Sequence, residues 1–206
     1  MEQMDLMKKT IIFDLGGVLL DWDRRHLYQK IFSDPDELEY FLEEVCSLDW
    51  NVHTDVDKSF QDAIDELIPK YPHYEGQIRA YFERWEEMIA GDFPGTVEIL
   101  RELKEAGYPL AALSNWSSET FPRIKDQYEF LSWFSPLVIS GYIGYKKPDP
   151  EAYQIMLHEL DLDAGDCVFI DDMEKNIQEA QRQGFEVIRF SSSEQLREDL
   201  VDLGLL

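Results

Sequence analysis

The chain has 206 residues, 44% hydrophobic and 30% charged, with 11 Gly and 9 Pro, a balance that excludes collagen-like, low-complexity and disordered classes. A chain of this size buries roughly 70% of the surface its unfolded form exposes, so it needs no disulfide or metal staple to fold. Its 43 acidic against 19 basic residues give a net charge of −24, which excludes nucleic-acid and anionic-membrane partners because such a surface repels their phosphates.

In chain order, a short apolar strand is expected at residues 10–13, ending at Asp14 and turning at Gly16-Gly17. A long helical stretch follows. Leu38, Phe41, Leu42 and Val45 recur at i, i+3, i+4, i+7, and Phe60, Ala63, Ile64, Leu67 and Ile68 repeat the pattern. Ile78, Tyr81, Phe82, Trp85, Met88 and Ile89 extend it. These spacings predict three or four amphipathic helices, each with one apolar stripe to bury.

From Gly91-Asp92-Phe93-Pro94-Gly95 onward, helix and strand alternate. A helix with Val97, Leu100 and Leu103 stops at Gly107, a residue suited to the position just past a helix end. Strands are expected at 109–113, 137–139, 167–170 and 186–190. Between and after the later ones run helices through Tyr153, Met156, Leu157 and Leu160, through Ile177 and Ala180, and near 196–200. Asp149-Pro150 reads as the N-cap and first residue of one of them. Short apolar strands alternating with helices imply a parallel sheet covered on both faces. The expected fold class is α/β: a Rossmann-like core of residues 1–18 and 92–206, with a helical cap of residues 19–91 inserted after the first strand.

Cys46 and Cys167 are too few for a disulfide framework or a thiolate metal site, and Cys167 sits in an apolar run as a buried, inert thiol. His26, His53, His73 and His158 are scattered and form no zinc motif. No apolar stretch reaches the ~18 residues of a membrane span. Residues 1–9 carry no apolar signal region, so the cytoplasm is the expected compartment.

A parallel sheet places its ligands beyond the carboxyl ends of its strands. Here that rim carries Asp14, Ser114, the segment after Ile139, and Asp171-Asp172. Each has an ordinary explanation alone: Asp14 starts a turn, Ser114-Asn115 caps a helix, Lys147 is a solvated charge, and Asp171-Asp172 binds helix N–H groups. Together they say more. Three carboxylates converging on one rim repel one another, and a bound cation relieves that repulsion. Such oxygen ligands suit Mg²⁺. A carboxylate such as Asp14 can attack an electrophilic centre and form a covalent intermediate. Backbone N–H groups after Asp14, the Ser114 hydroxyl and the Lys147 ammonium can hold anionic oxygens, with Gly16 and Gly17 permitting close approach.

The segments Ile11-Ile12-Phe13-Asp14-Leu15-Gly16-Gly17-Val18, Leu113-Ser114-Asn115, Lys147-Pro148-Asp149-Pro150 and Phe169-Ile170-Asp171-Asp172 resemble, in order, the motifs of the haloacid dehalogenase superfamily of hydrolases. The helical insert is similar to that family's small helical cap. The resemblance implies that Asp14 is the nucleophile, that Ser114 binds a phosphoryl group, and that Lys147 steadies both. It implies Mg²⁺ held by Asp14, Asp172 and the Gly16 main-chain carbonyl, with Asp171 as ligand or neighbour. Gly16, Gly17, Ser114, Asn115 and Lys147 are the expected substrate-binding set, and a small phosphorylated metabolite, a sugar phosphate among the candidates, is the expected partner.

One departure stands out. Many phosphatases of this family carry a second Asp where this chain has Gly16. Either the substrate has a good leaving group, or an insert residue such as Asp21, Asp23 or His26 supplies the proton, or the protein is slow or inactive. A metal-free dehalogenase and an inactive binding protein on the same scaffold are the competing readings, the first disfavoured by the acidic Asp171-Asp172 pair. Trp22 and Trp50 are candidates to line the pocket, whereas Trp85 lies on a core stripe.

Overall fold

The computed structural model describes residues 8–56 and 58–206. The reading of the N-terminus as lacking a secretory signal falls on residues 1–7, outside the described residues, as does that part of the expected core. Five strands, β1 (Thr10–Phe13), β4 (Leu110–Ser114), β5 (Leu137–Ile139), β6 (Cys167–Asp171) and β7 (Glu186–Arg189), form one parallel sheet in the order β5-β4-β1-β6-β7. The chain leaves β1 toward β4 and β5, then crosses back to β6 and β7 on the other side. The point of reversal, where α/β sheets open a crevice, therefore lies at the carboxyl end of β1.

The strands alternate with period two, as a doubly covered sheet requires. Ile11, Phe13, Leu110, Ala112, Val168 and Ile170 face one apolar cluster. Ile12, Ala111, Leu113, Cys167 and Phe169 face another, packed with Tyr153 and Met156 from the helix Pro150–Leu160 and Ile177 and Ala180 from the helix Glu174–Arg182. Each large apolar side chain so buried stabilises the fold by roughly 1.5–3 kcal/mol.

Between β1 and β4, the strands β2 (Leu20–Trp22) and β3 (Ile89–Asp92) pair antiparallel and bracket the insert. Its helices are shorter and more numerous than the apolar stripes suggest: Arg24–Tyr28, Pro35–Tyr40, Leu48–Thr54, Phe60–Leu67 and Glu75–Glu83. Ser47 and Ser59 explain part of the subdivision. Each accepts a backbone N–H, from Trp50 and Asp62 respectively, and so restarts the helix. Helices this short are not stable alone. Phe41, Phe60, Ile78 and Tyr81 accordingly join the same cluster as Phe13 and Ile170.

Asp149 precedes Pro150 as expected, yet its carboxylate does not cap the helix. It turns back to accept from the Lys146 N–H at 3.2 Å, because the tight loop before the helix presents that donor nearer. Among the described residues no helix is long and apolar enough to cross a membrane.

Candidate active site

Asp14 directly follows β1 and is buried. Its Oδ1 accepts from the Leu15 N–H at 2.7 Å and the Ser114 hydroxyl at 2.8 Å, and Ser114 is the last residue of β4. Its Oδ2 lies 2.9 Å from the Lys147 ammonium. Both carboxylate oxygens are thereby fixed, one by the following main chain and the end of β4, the other by a lysine from the loop before the helix Pro150–Leu160.

Lys147 is only 1% exposed, and its ammonium also donates to Asp171 Oδ2 at 2.7 Å. Its backbone is held just as firmly. Asn115 Nδ2 donates to the Lys147 carbonyl and Asn115 Oδ1 accepts from the Lys147 N–H, both at 2.8 Å. The structure thus turns the Asn115 amide onto Lys147 rather than leaving both its ends for a ligand. Among the backbone donors of the first turn, Leu15 N–H binds the Asp14 carboxylate and Gly17 N–H binds the Leu20 carbonyl at 2.9 Å.

Asp171 ends β6 and is fully buried. The Met173 N–H and the Asn176 amide bind its Oδ1, and Asn176 also reaches its Oδ2. Asp172 is half-buried and faces the cavity. Carboxylate oxygens of Asp14, Asp171 and Asp172 lie within 4.8 Å of one another, a spacing that can hold a metal ion. Gly17 has φ +78°, and a Cβ there would stand 2.8 Å from Asp172 Oδ2, so only glycine fits against this carboxylate. Gly16 has no such constraint: a Cβ would meet Trp22 Cβ at 3.9 Å, ordinary contact.

Charge and burial conflict here. Burial, opposed by Lys147 and reinforced by Asp171 and Asp172, pushes the Asp14 carboxyl up to about 7. Burial, and then Asp171, also raises Asp172. Burial works against the Lys147 charge, but Asp14 and Asp171 outweigh it and hold the ammonium above its ordinary value. One ammonium does not balance three carboxylates. A hard divalent cation would reverse the shifts on Asp14 and Asp172, and an all-oxygen donor set suits it.

A cavity of about 410 Å³ opens on this cluster. The sheet rim contributes Asp14, Gly16, Gly17, Ser114, Asn115, Lys147, Asp172 and Asn176, and the insert contributes Trp22, Asp23, Asn51, Asp55 and Trp85. Trp85 is both core and wall, its ring tilted at 49° against Trp116 with centroids 5.1 Å apart. Trp50 is not among the lining residues; it packs edge-on against Tyr81. Asp21 and His26 pair with each other at 3.1 Å away from the lining, while Asp23 lines it but uses its carboxylate to cap the helix Arg24–Tyr28 through the Arg25 N–H. Sequence reasoning missed Asn176 and Asp55. Asn176 has a weak signal, a polar residue in the first turn of a helix leaving the rim. Asp55 has none.

The haloacid dehalogenase-like hydrolase profile matches residues 8–184. The chain belongs to this family. A sesquiterpene phosphatase of Aspergillus oryzae is 25% identical over 90% of the chain and 91% of its own length. A phosphoglycolate phosphatase of Vibrio cholerae is 24% identical over 85% of the chain and 81% of its own length. Among solved structures, a haloacid dehalogenase family enzyme of Bacteroides thetaiotaomicron in complex with magnesium and inorganic phosphate superposes with a TM-score of 0.70, at 21% identity, over 90% of this chain and 95% of that one. The L-2-haloacid dehalogenase of Xanthobacter autotrophicus superposes at 0.64 with 18% identity, over 95% of this chain and 83% of that one. At these identities the superpositions speak for the fold. This haloacid dehalogenase-like hydrolase thus has phosphatases among its relatives and an Asp cluster suited to a metal at its rim.

Proposed function

We propose that the chain is a Mg²⁺-dependent phosphomonoesterase that attacks a small phosphate ester with Asp14 and passes through an aspartyl-phosphate. The observation that carries this reading is the fixing of Asp14. Its two oxygens are held by separate donors while the group faces a cavity of small-ligand size. A nucleophile so oriented needs little reorganisation to reach the phosphorus in line. The Ser114 hydroxyl can rotate from Asp14 to a phosphoryl oxygen, Lys147 sits beside that position, and the Gly16 N–H can complete the anion pocket. Asp14, Asp172 and the Gly16 carbonyl would hold Mg²⁺, with Asp171 beside them, and its chemistry there is to neutralise charge between the carboxylate and the phosphoryl group.

The three clustered carboxylates disfavour a metal-free dehalogenase, because without a cation their repulsion is met by the Lys147 ammonium, which touches Asp14 and Asp171, and by the Arg189 charge acting on Asp172. The phosphatase relatives favour a phosphate ester, and Trp22 and Trp85 on the insert wall favour a substrate with a hydrophobic or ring-shaped organic part. The test is turnover of a panel of phosphate esters with Mg²⁺ and with excess chelator. Release of inorganic phosphate that chelation abolishes is the expected result. Undiminished hydrolysis in chelator, or halide release from 2-haloacids without phosphatase activity, overturns the reading.

A further inference from the structure

A simple alkyl phosphate leaves as a poor alkoxide unless a positioned acid protonates it. Gly16, two residues after the nucleophile, has no side chain to serve. Four carboxylates line the cavity among the described residues: Asp14, Asp23, Asp55 and Asp172. Asp14 is the nucleophile, Asp172 belongs to the metal cluster, and Asp23 is bound to the Arg25 N–H at 2.8 Å. Asp55 remains.

Asp55 follows the helix Leu48–Thr54 and stands on the insert wall, the side toward which the organic part of a substrate held by Ser114 and Lys147 must extend. Its backbone is tied to the sheet. The Ser140 hydroxyl, just beyond β5, accepts from the Trp116 N–H at 2.8 Å and lies 3.1 Å from the Asp55 carbonyl. The group is 8% exposed, and burial pushes its carboxyl up to about 7, with the Lys146 charge opposing and Asp14 reinforcing the shift. The buried Tyr81 phenol also senses it, and Arg25 and Lys175 line the same cavity.

We propose that Asp55 is the general acid and base of this site, an assignment that rests on the phosphomonoesterase reading. In the first step an Asp14 oxygen bonds to phosphorus, the phosphorus–ester oxygen bond breaks, and the Asp55 proton passes to the departing oxygen to give the alcohol. In the second, Asp55 takes a proton from water as the water oxygen bonds to phosphorus. The Asp14–phosphorus bond breaks, leaving inorganic phosphate, a free Asp14 carboxylate and a protonated Asp55.

The experiment compares wild type with Asp55→Asn on ethyl phosphate and para-nitrophenyl phosphate, with Mg²⁺ present. The kcat/KM ratio of the two esters within one preparation does not depend on how much enzyme is folded. Loss of the acid should lower kcat/KM for ethyl phosphate by roughly 10²–10⁴-fold and that for the aryl ester far less, because the aryl oxygen leaves without a proton. The fall of wild-type ethyl phosphate kcat/KM as pH rises past about 7 should vanish in the variant. Phosphorylated enzyme should accumulate, visible by mass spectrometry, because the second step loses its base. An equal loss on both esters would mean a merely structural role, and no loss would mean no role; either overturns the proposal. A wild type inactive on both esters overturns the phosphomonoesterase reading itself, a distinguishable result, and the assignment falls with it.

Discussion

The two walls of the cavity are built on different principles. On the sheet side Asp14, Ser114, Asn115, Lys147 and Asp171 hold one another through bonds of 2.7–2.9 Å, and all but Lys147, which comes from a loop, sit at or just past a strand end. On the insert side the wall sets Trp22 and Trp85 among polar and charged residues such as Asp23, Arg25 and Asn51, with Asp55 tied in through its main chain. A network this dense fixes the chemistry, because displacing one member leaves others buried without partners. The looser wall leaves room to vary what is recognised.

The contrast is broken most severely at Asp14. Asp14→Asn should abolish turnover of every ester while the protein still folds, since the amide keeps the shape and lacks the attacking charge, and its Nδ2, unable to accept, should lower the unfolding temperature. Retained activity would remove Asp14 from the mechanism. Lys147→Ala comes next. Removing one partner of a buried ion pair costs about 3–5 kcal/mol, and here two carboxylates lose their ammonium together. Chemical denaturation should show a loss of that order, largest above about pH 7, where Asp14 is ionised, and smaller as pH falls below it and the carboxyls take up protons.

Smaller and more local is Gly17→Ala, which places a Cβ against the Asp172 carboxylate at a φ of +78°. A non-glycine residue held there costs about 1–3 kcal/mol, and displacement of Asp172 should weaken Mg²⁺ binding in calorimetry. Gly16→Asp should be the mildest change to the fold, because its Cβ meets only Trp22 in ordinary contact. Of the two glycines, Gly17 takes the positive φ and Gly16 does not, so the substitution meets no backbone strain. If Asp55 already supplies the proton, Gly16→Asp gives little rate gain even on poor leaving groups. A large gain there would show that the insert wall contributes no acid.

The sheet wall was legible because its residues sit where apolar strands end, and strand ends in a parallel sheet converge by geometry. Asp14, Ser114 and Asp171-Asp172 follow from that rule alone. The insert wall was not legible. Asp55 reaches the rim only because the short helices of the insert fold over the sheet and its carbonyl meets the Ser140 hydroxyl, 85 residues away, at 3.1 Å. Proximity in sequence pointed instead to Asp21, Asp23 and His26, two of which pair off and one of which caps a helix. The insert's helix count also escaped periodicity, since the helices Arg24–Tyr28 and Leu48–Thr54 fall outside the apolar stripes, each started by a capping side chain, Asp23 or Ser47.

The Asn115 amide that grips both main-chain groups of Lys147 has an entropic consequence. A lysine side chain loses up to roughly 1.5–2 kcal/mol of rotamer freedom when it is ordered. Here the main chain is clamped by one amide and the ammonium by two carboxylates, so that freedom is surrendered once, during folding. An arriving anion meets a cation that is already still, and its own capture carries no such ordering cost.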